Sequence, residues 1–308
     1  MRVAILAGGT GGAKLGAGLQ EEIGADLSVI ANTADDIEIL GVHVSPDADL
    51  ITYWLNGEID AERGWGIRDD SFTAFERLSR LGAPDWFRLS DRDLATCLYR
   101  RQFLEAGGRP TDAQAQITAS LGVGARVLPM SDAPVRTRVV TDAGTHDLQE
   151  YLILHRGEPE VRGVELDGIE AAEPTPEVTA ALRGADVIVI GPSNPVISIG
   201  PILAMPGTRE AIAASQAPVI AVSPFVAGEV VKGPTERFMA AVGRPSTAAG
   251  VASLYTGLID AMVVDEDDPD PPPGEVVTQT APTLMDSAAA RARLARIVLD
   301  LAASLKAG

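Results

Sequence analysis

The chain has 308 residues and a formal net charge of −18, from 43 acidic and 25 basic residues, and 46% of its residues are hydrophobic. This composition can bury a large core, and it excludes a disordered or collagen-like chain. The acidic charge disfavours nucleic acid and anionic membranes as partners, because the sequence has no cluster of basic residues to offset it.

The compartment is predicted from what the sequence lacks. A single cysteine, Cys97, excludes an internal disulfide bond. The N-terminus has neither the basic region nor the cleavage site of a signal peptide, and no apolar run approaches the roughly 18 residues of a membrane span. We therefore expect a soluble, cytoplasmic protein.

The N-terminal segment predicts a strand, a glycine-rich turn and a helix. The apolar run at residues 3–7 leads into the sequence GGTGGAK, and helix-forming residues follow over 13–22. Glycines at a helix N-terminus present bare amides to an anion, which favours a phosphorylated ligand. A glycine-rich turn without a ligand is the alternative. The residues expected to bind phosphate or nucleotide here are Gly9, Thr10, Gly11, Gly12 and Lys14.

Neither standard nucleotide motif fits this turn. Lys14 stands where a dinucleotide-binding fingerprint has its third glycine, and Asn32 stands where that fold carries an acidic residue for the ribose. A Walker A loop needs Ser or Thr after its lysine, but Leu15 follows Lys14. An NAD-dependent oxidoreductase is therefore disfavoured.

A second buried strand is predicted over Leu27–Ala31, and the polar sequence NTADD follows it at residues 32–36. Ligands bind at the carboxyl ends of strands in open parallel sheets, so this segment is a candidate binding region. The sequence SPDAD at residues 45–49 then predicts a helix N-terminus, with the helix extending to about residue 56.

The strand signal disappears over residues 57–123, where three helices are predicted. The first begins at Asp70 and ends at Gly82, the second is capped by SDRD at residues 90–93, and the third begins in a capping box at residues 111–114. This pattern indicates a helical subdomain inserted into an α/β domain.

Strands and helices alternate again in the remainder of the chain. Two late strands each end in a polar loop containing glycine, at residues 191–195 and 223–228, and we expect both loops to face the first glycine-rich turn. Residues 265–274 form an acidic, proline-rich loop. The predicted strands are 125–128, 135–140, 148–154, 187–190, 219–222 and 261–264, with a hairpin turn at 141–145, and the predicted helices are 177–182, 235–241, 248–258 and 287–306.

Six short motifs stand out along the chain: GGTGG at residues 8–12, NTADD at 32–36, GWG at 64–66, WFRLSDRD at 86–93, PMSD at 129–132 and GPSNP at 191–195. Together they closely resemble the 2-phospho-L-lactate transferase family, also called CofD-like, which includes FbiA-type phosphoenolpyruvyl transferases of actinobacteria. The likeness covers nearly the whole chain and is weaker only in the acidic loop and the final helix.

The resemblance implies one Rossmann-like domain over residues 1–308, with a three-layer parallel sheet and a helical insertion at about 57–123. It implies an enzyme that makes the deazaflavin coenzyme factor 420. Such an enzyme transfers a 2-phospho-L-lactyl or phosphoenolpyruvyl group from its GDP-activated form to the ribityl hydroxyl of the deazaflavin Fo and releases GMP. The implied cofactor is Mg²⁺ and the implied partners are these small molecules; a homodimer is compatible with the sequence.

Phosphoryl transfer requires charge neutralisation, which a magnesium ion held by carboxylates would supply. The candidate ligands are Asp35, Asp36 and Asp47, and Asp35 and Asp36 join Asp49 as candidate catalytic residues. The alternatives are a solvated acidic loop for Asp35 and Asp36 and a partner of the helix dipole for Asp47.

The deazaflavin contacts of the family carry over to Asp49 and Arg88. Asp49 would accept a hydrogen bond from an Fo hydroxyl, and its alternative is a carboxylate in the first turn of a helix. Arg88 would stack on the flat ring or bind a phosphate. Its alternative is an ion pair with Asp85, Asp91 or Asp93.

Trp65, between two glycines, is either a mobile lid over Fo or an anchor in the core. Ser193 and Asn194 offer a hydroxyl and an amide to guanine or phosphate, and simple turn chemistry is their alternative. A nucleotide-sugar-binding regulatory protein of a related branch of the family remains as a second functional hypothesis. The sequence does not specify whether the transferred acid is lactyl, enolpyruvyl or glyceryl.

Overall fold

The computed structural model describes residues 1–231, 233–274 and 276–307. The strands of these residues are β1 (Val3–Ala7), β2 (Leu27–Ala31), β3 (Ile37–Ile39), β4 (Val42–Val44), β5 (Arg126–Pro129), β6 (Arg136–Thr141), β7 (Gly144–Asp147), β8 (Val161–Asp167), β9 (Val187–Ile190), β10 (Val219–Val222), β11 (Phe225–Val226), β12 (Glu229–Val230), β13 (Ala261–Asp265) and β14 (Val277–Ala281). The helices are α1 (Gly9–Ile23), α2 (Pro46–Leu55), α3 (Thr73–Arg80), α4 (Asp91–Glu105), α5 (Pro110–Ser120), α6 (Pro176–Gly184), α7 (Ile199–Ala204), α8 (Thr208–Ala213), α9 (Thr235–Ala241), α10 (Ala248–Leu254) and α11 (Ala288–Ala307).

A parallel sheet of seven strands, in the order β14, β13, β10, β9, β1, β2, β5, forms the middle layer. Strands β1, β2, β9, β10 and β13 are buried throughout, as continuous apolar runs covered on both faces should be. Helices α1, α2 and α11 pack on one face, while α6, α7, α8 and α10 pack on the other. The prediction of a Rossmann-like, three-layer α/β fold is confirmed.

The order of the strands reverses direction at β1. The chain runs outward from β1 to β2 and β5, and then returns to β9 on the opposite side of β1. The loops that follow β1 and β9 therefore leave the sheet from neighbouring strands in opposite directions and open a crevice between them. We expect the ligand site at this crevice.

Residues 57–123 contain α3, α4 and α5 together with a single antiparallel bridge between Ile59 and Ile67. Helix α4 packs against the β3–β4 hairpin, where Cys97 joins Val42 and Val44 in a small separate core. The three helices predicted for this segment are present, and Cys97 is buried as expected.

The strand predicted over residues 148–154 is wrong. The hairpin partner of β6 is β7, at Gly144–Asp147, and Glu150–Leu154 forms a π-helical turn. Within that turn the Tyr151 ring is buried and its hydroxyl donates to the carbonyl oxygens of Gly157 and Pro159. An apolar run of this length does not distinguish a strand from a buried helical turn.

The predicted starts of α3 and α5 are also wrong. Helix α3 begins at Thr73 rather than Asp70, because the Asp91 carboxylate accepts hydrogen bonds from the backbone amides of Thr73 and Ala74. Asp70 instead accepts from the amide of Arg92 in the first turn of α4. The two aspartates therefore cap each other's helices, a pattern that spans about 20 residues and has no local sequence signal.

The capping box predicted at residues 111–114 does not form. Helix α5 begins one residue earlier, at Pro110, and the Thr111 hydroxyl donates to Asp132 at 2.7 Å.

Within the described residues, no helix combines the length and hydropathy that crossing a lipid bilayer requires. Elements that the sequence analysis did not predict are β3, β4, β8, β11, β12, β14, α7 and α8.

Candidate active site

A cavity of about 640 Å³ lies at the carboxyl ends of the central strands, beside the crevice between β1 and β9. Its size is typical of a small-molecule site. The predicted site residues in its wall are Gly9, Thr10, Gly11, Lys14, Asp35, Asp47, Asp49, Trp65, Arg88, Ser193 and Asn194; Gly12 and Asp36 lie outside it.

Helix α1 begins at Gly9, so the glycine-rich turn is the first turn of the helix rather than a loop before it. The first four amides of a helix have no acceptor within it. Here the amide of Gly8 donates to Ser193 Oγ at 3.2 Å and that of Gly9 donates to Asp47 Oδ1 at 2.5 Å. The amides of Thr10 and Gly11 follow at the cavity wall, where the positive end of the helix favours an anion.

The glycines allow the loops after β1 and β9 to approach closely. A Cβ atom on Gly11 would lie 1.9 Å from the carbonyl oxygen of Pro192, and one on Gly12 would lie 2.5 Å from Ser193 Oγ. A Cβ atom on Gly8 would lie 2.6 Å from Asp47 Oδ2. Any side chain at these positions would therefore push the two halves of the crevice apart.

Two of the three predicted metal ligands converge on one amide group. Asn32 Nδ2 donates to Asp47 Oδ2 at 3.0 Å and also to Asp35 Oδ1. Burial, together with the charge of Asp36, raises the pKa of Asp47 to about 6. Burial, and then the charges of Asp47 and Asp36, raise the pKa of Asp35 well above its usual value. Hard oxygen donors whose negative charges oppose each other suit a divalent cation.

The side chain of Asp36 has different partners. Its carboxylate accepts from Ser45 Oγ at 2.8 Å and lies 3.0 Å from Nε2 of His43, whose Nδ1 lies 2.6 Å from Glu38. Although burial lowers the pKa of His43, the bonds to the two carboxylates raise it overall. The Asp36 side chain thus belongs to a hydrogen-bonded group with His43, Ser45 and Glu38 beside the cavity, whereas Asp35 and Asp47 share the Asn32 amide.

Asp49 forms a buried ion pair that sequence analysis missed. Arg100 Nη1 donates to Asp49 Oδ2 at 3.0 Å, and Arg100 Nη2 binds Oδ1. Burial opposes the charged guanidinium, but the adjacent Asp49 outweighs it and raises the pKa of Arg100 overall. The partners are 51 residues apart, so no local pattern could have joined them.

Asp49, Asp93 and Cys97 offer ligand atoms within 4.8 Å of one another, a spacing that could hold a metal ion, and within the described chain no other such group of three was found. Both oxygens of Asp49 already bind Arg100. Asp93 Oδ1 accepts from the Tyr53 hydroxyl at 2.9 Å. Burial, and then the charge of Asp49, raise the pKa of Asp93 to about 7. Asp93 is a site residue that sequence analysis considered only as an ion-pair partner.

Arg88 and Trp65 form an aromatic and cationic part of the wall. The Arg88 guanidinium carbon lies 4.4 Å from the centroid of the Phe72 ring, and Arg88 has no ion pair with any described residue, including Asp85, Asp91 and Asp93. Trp65 is 37% exposed and packs edge-on against Phe72. Trp65 is thus a partly open wall of the cavity, unlike an anchor in the core.

The Asn194 side chain makes two contacts within its own turn and one contact to α9. Its Oδ1 accepts from the amides of Val196 and Ile197, and its Nδ2 donates to Thr235 Oγ1 at 3.2 Å. Ser193 Oγ accepts from Gly8, as described above. The Ser193 bond fixes the loop after β9 against the N-terminus of α1, and the Thr235 bond fixes it against α9.

Comparison with known proteins places these features in a family. The family model described as 2-phospho-L-lactate transferase CofD matches residues 3–300. A phosphoenolpyruvate transferase of Streptomyces griseus is 42% identical over the full length of both chains. A 2-phospho-L-lactate transferase of Methanopyrus kandleri is 42% identical over 99% of each chain, and one of Methanosarcina mazei is 40% identical over 86% of this chain and 87% of its own.

Among solved structures, a member of the UPF0052 family from Bacillus halodurans is similar, with a TM-score of 0.65. The match covers 97% of this chain and 98% of the other, at 19% sequence identity. At that identity the likeness supports the fold alone.

Proposed function

The chain belongs to the CofD family of 2-phospho-L-lactate transferases, and we propose that it transfers a phospho-three-carbon-acid group from a GDP-linked donor to the ribityl hydroxyl of the deazaflavin Fo. The observation that carries the proposal is the composition of the cavity. One wall has the amides of Thr10 and Gly11 at a helix N-terminus, and another has Trp65 and Arg88. The first suits a diphosphate and the second suits a flat ring.

In the proposed reaction, the Fo hydroxyl attacks the phosphorus that bears the acid. A new O–P bond forms, and the bond from this phosphorus to the phosphate of GMP breaks. The chain contributes by positioning both substrates and by neutralising charge, as phosphoryl transfer requires. Lys14, whose Nζ lies 5.5 Å from the centroid of the Trp54 ring, lines the cavity and would contact the diphosphate.

A magnesium ion fits the donors that the chain offers. We propose that Asp35 and Asp47 hold it, because their carboxylates converge on the Asn32 amide and the charge of Asp47 raises the pKa of Asp35, which a counter-charge would relieve. When bound, the ion would neutralise charge on the diphosphate. Asp36, whose carboxylate is bound to His43 and Ser45, would then lie beside the metal site without holding the ion.

The test begins with Fo. Purified protein is titrated with Fo while Fo fluorescence is followed, with and without GDP and Mg²⁺, and the Arg88→Ala variant is compared with Arg80→Ala. Arg80 is a matched control, since it lies on the surface with 75% of its side chain exposed. We expect saturable Fo binding that weakens about tenfold or more in Arg88→Ala, the loss of a stacked, charged contact, and not in Arg80→Ala.

The second step measures transfer. GDP-linked lactate and GDP-linked enolpyruvate are each incubated with Fo and protein, and release of GMP together with the modified Fo is followed by chromatography. Formation of both products from either donor supports the proposal. If the protein neither binds Fo nor transfers the group, and binds a nucleotide sugar instead, the proposal is wrong and the chain is a nucleotide-sugar-binding regulatory protein of the related branch.

We also propose that the described segments form one domain. Helix α5 of residues 57–123 packs on β5 of the main sheet, and α4 packs on the β3–β4 hairpin that precedes α2. The helical segment therefore forms the side of the cavity that carries Trp65, Arg88 and Asp93. Separate expression of the segment should yield no stable folded unit.

A further inference from the structure

We infer that Asp93 accepts the proton of the attacking Fo hydroxyl, and that Tyr53 is the positioning residue that orients its carboxylate. The inference rests on the proposed function, and it divides two neighbouring carboxylates between two tasks. Both carboxylate oxygens of Asp49 are bound by Arg100, whereas Asp93 lines the cavity and only its Oδ1 accepts a hydrogen bond from a described residue.

The geometry of Asp93 suits a proton acceptor. Asp93 lies in the first turn of α4, is 8% exposed and lines the cavity beside Tyr53 and Asp49. The Tyr53 hydroxyl binds Oδ1 at 2.9 Å, while Oδ2 forms no hydrogen bond with any described residue. Oδ2 is therefore the oxygen that can take a proton from a bound hydroxyl.

Asp49 is unsuited to the same task. Arg100 binds both of its oxygens, and Asp49 and Arg100 side chains are 5% and 3% exposed. Because both oxygens of Asp49 already accept hydrogen bonds from the guanidinium, neither is open to the hydroxyl of a bound substrate. Two carboxylates in unlike environments are the usual arrangement by which a site separates a fixed charge from a proton carrier.

The charged and titratable groups around Asp93 come from three segments. Asp49 and Tyr53 face it from α2, Cys97 and Arg100 from α4, and Asp70 from the segment before α3. Burial and the charges of Asp49 and Asp70 raise the pKa of Asp93, while the Tyr53 hydrogen bond and the charge of Arg100 lower it. The pKa of about 7 that results is close to the optimum for a general base at neutral pH.

The step balances without any further reactant. The O–H bond of the ribityl hydroxyl breaks as its oxygen forms the new bond to phosphorus, and the proton passes to Asp93 Oδ2. The bond to the bridging oxygen of the diphosphate breaks, and its electron pair stays on the phosphate of the departing GMP. Asp93 then returns its proton to solvent.

The test compares Asp93→Asn with the unchanged chain in single turnovers, with enzyme in excess over Fo, between about pH 5.5 and pH 8.5. Asparagine retains an oxygen for the Tyr53 hydroxyl but accepts no proton. The rate of the unchanged chain should rise about tenfold per pH unit below the pKa of Asp93 and then level off. In Asp93→Asn the rate should fall about 10²- to 10⁴-fold and this rise should disappear, while the dissociation constant for Fo is retained.

A second variant keeps the inference testable if Asp93→Asn folds poorly. Tyr53→Phe removes the hydrogen bond that lowers the pKa of Asp93, so the rising limb of the pH profile should move to higher pH. Tyr99→Phe is the matched control, because Tyr99 lies on α4 with its ring 40% exposed and its hydroxyl bound to Gln116. Its pH profile should coincide with that of the unchanged chain.

Failure of this inference is distinguishable from failure of the proposed function. If the unchanged chain transfers the group to Fo, but Asp93→Asn keeps its rate and its pH profile, Asp93 is not the proton acceptor and the transferase function stands. A Tyr53→Phe profile that coincides with that of Tyr99→Phe would also overturn the inference. If the unchanged chain neither binds Fo nor releases GMP, the proposed function fails, and this inference fails with it.

Discussion

Arg100 on α4 binds both carboxylate oxygens of Asp49 on α2, and both side chains are almost completely buried. Arg100 also donates to the carbonyl oxygen of His43, the central residue of strand β4, at 3.2 Å. A single side chain therefore connects the helical segment, the β3–β4 hairpin and the cavity. This connection makes the Asp49 carboxylate part of the scaffold as well as of the site.

Substitution of Arg100 should destabilise the fold. Arg100→Met keeps an unbranched, flexible stem but removes the guanidinium, which leaves the Asp49 carboxylate buried without its charged partner. We expect the free energy of unfolding in urea to fall by about 3–5 kcal/mol. Arg101→Met is the control, because Arg101 pairs with Glu38 and Glu105 at the surface and should change it by at most about 1 kcal/mol. Equal losses in the two variants would contradict this prediction.

Substitution of Gly11 should separate the two loops of the crevice. The Cβ atom of Gly11→Ala would collide with the Pro192 carbonyl, so we expect the variant to lose GDP binding, measured by calorimetry, and about 1–3 kcal/mol of stability. Gly16→Ala, also in α1, is the control, since its Cβ atom would meet only Val29 and Leu55, at 3.7 and 4.0 Å. That control should retain GDP binding and gain up to about 1 kcal/mol of stability.

Stability in the presence of a chelator should depend on pH through Asp47. The folded chain holds the Asp47 proton until about pH 6, whereas an unfolded aspartate releases it near its usual pKa of 3.8. The folded pKa is the higher one, so this contribution to stability is present in full below pH 3.8 and is lost as pH rises through about 6. The loss amounts to about 3 kcal/mol at neutral pH.

Asp47→Asn provides the comparison for this prediction. The amide has no proton to release. The free energy of unfolding in urea should therefore be higher for the variant than for the unchanged chain at pH 7.5, and the two should be equal in this respect at pH 4. Addition of Mg²⁺ at pH 7.5 should stabilise the unchanged chain and have little effect on Asp47→Asn. Parallel pH profiles for the two proteins would show that Asp47 ionises normally in the fold.

Trp65 should affect binding without supporting the core. Its side chain is 37% exposed at the cavity wall, so Trp65→Ala should raise the dissociation constant for Fo about tenfold while the free energy of unfolding changes by at most about 1 kcal/mol. Fluorescence titration and urea unfolding measure the two effects. A large loss of stability with unchanged Fo affinity would assign Trp65 to the core instead.

The sheet could be predicted from the sequence because its signals are local. The bounds of β2, β9 and β10 agree with the predictions, since each is a short apolar run, covered on both faces, that ends at polar or glycine residues. The run at residues 148–154 has the same composition, but Tyr151 bonds to backbone carbonyls beyond it and it folds as a helical turn. Composition alone does not carry that information.

The candidate site was predictable by position but not by pairing. Motifs located Asp35, Asp47, Asp49 and Arg88, and all four line the cavity. Which carboxylate pairs with Arg100, and which retains an unbonded oxygen, depends on contacts between α2 and α4 that lie 40 to 51 residues apart in the chain. Tertiary contacts of this kind leave no periodic signal in a single sequence.

The bond from the Gly8 amide to Ser193 Oγ joins two loops that are 185 positions apart. An N-terminal fragment, even one with β1, α1 and β2 folded, would therefore lack half of the proposed anion site until β9 has docked beside β1. Ligand binding and completion of the sheet are thus coupled equilibria, and a nucleotide that binds the closed crevice should favour the last steps of folding. Newly made chains would gain protection from proteolysis only once this long-range closure is complete, and GDP, bound as the proposed function requires, would favour that closure.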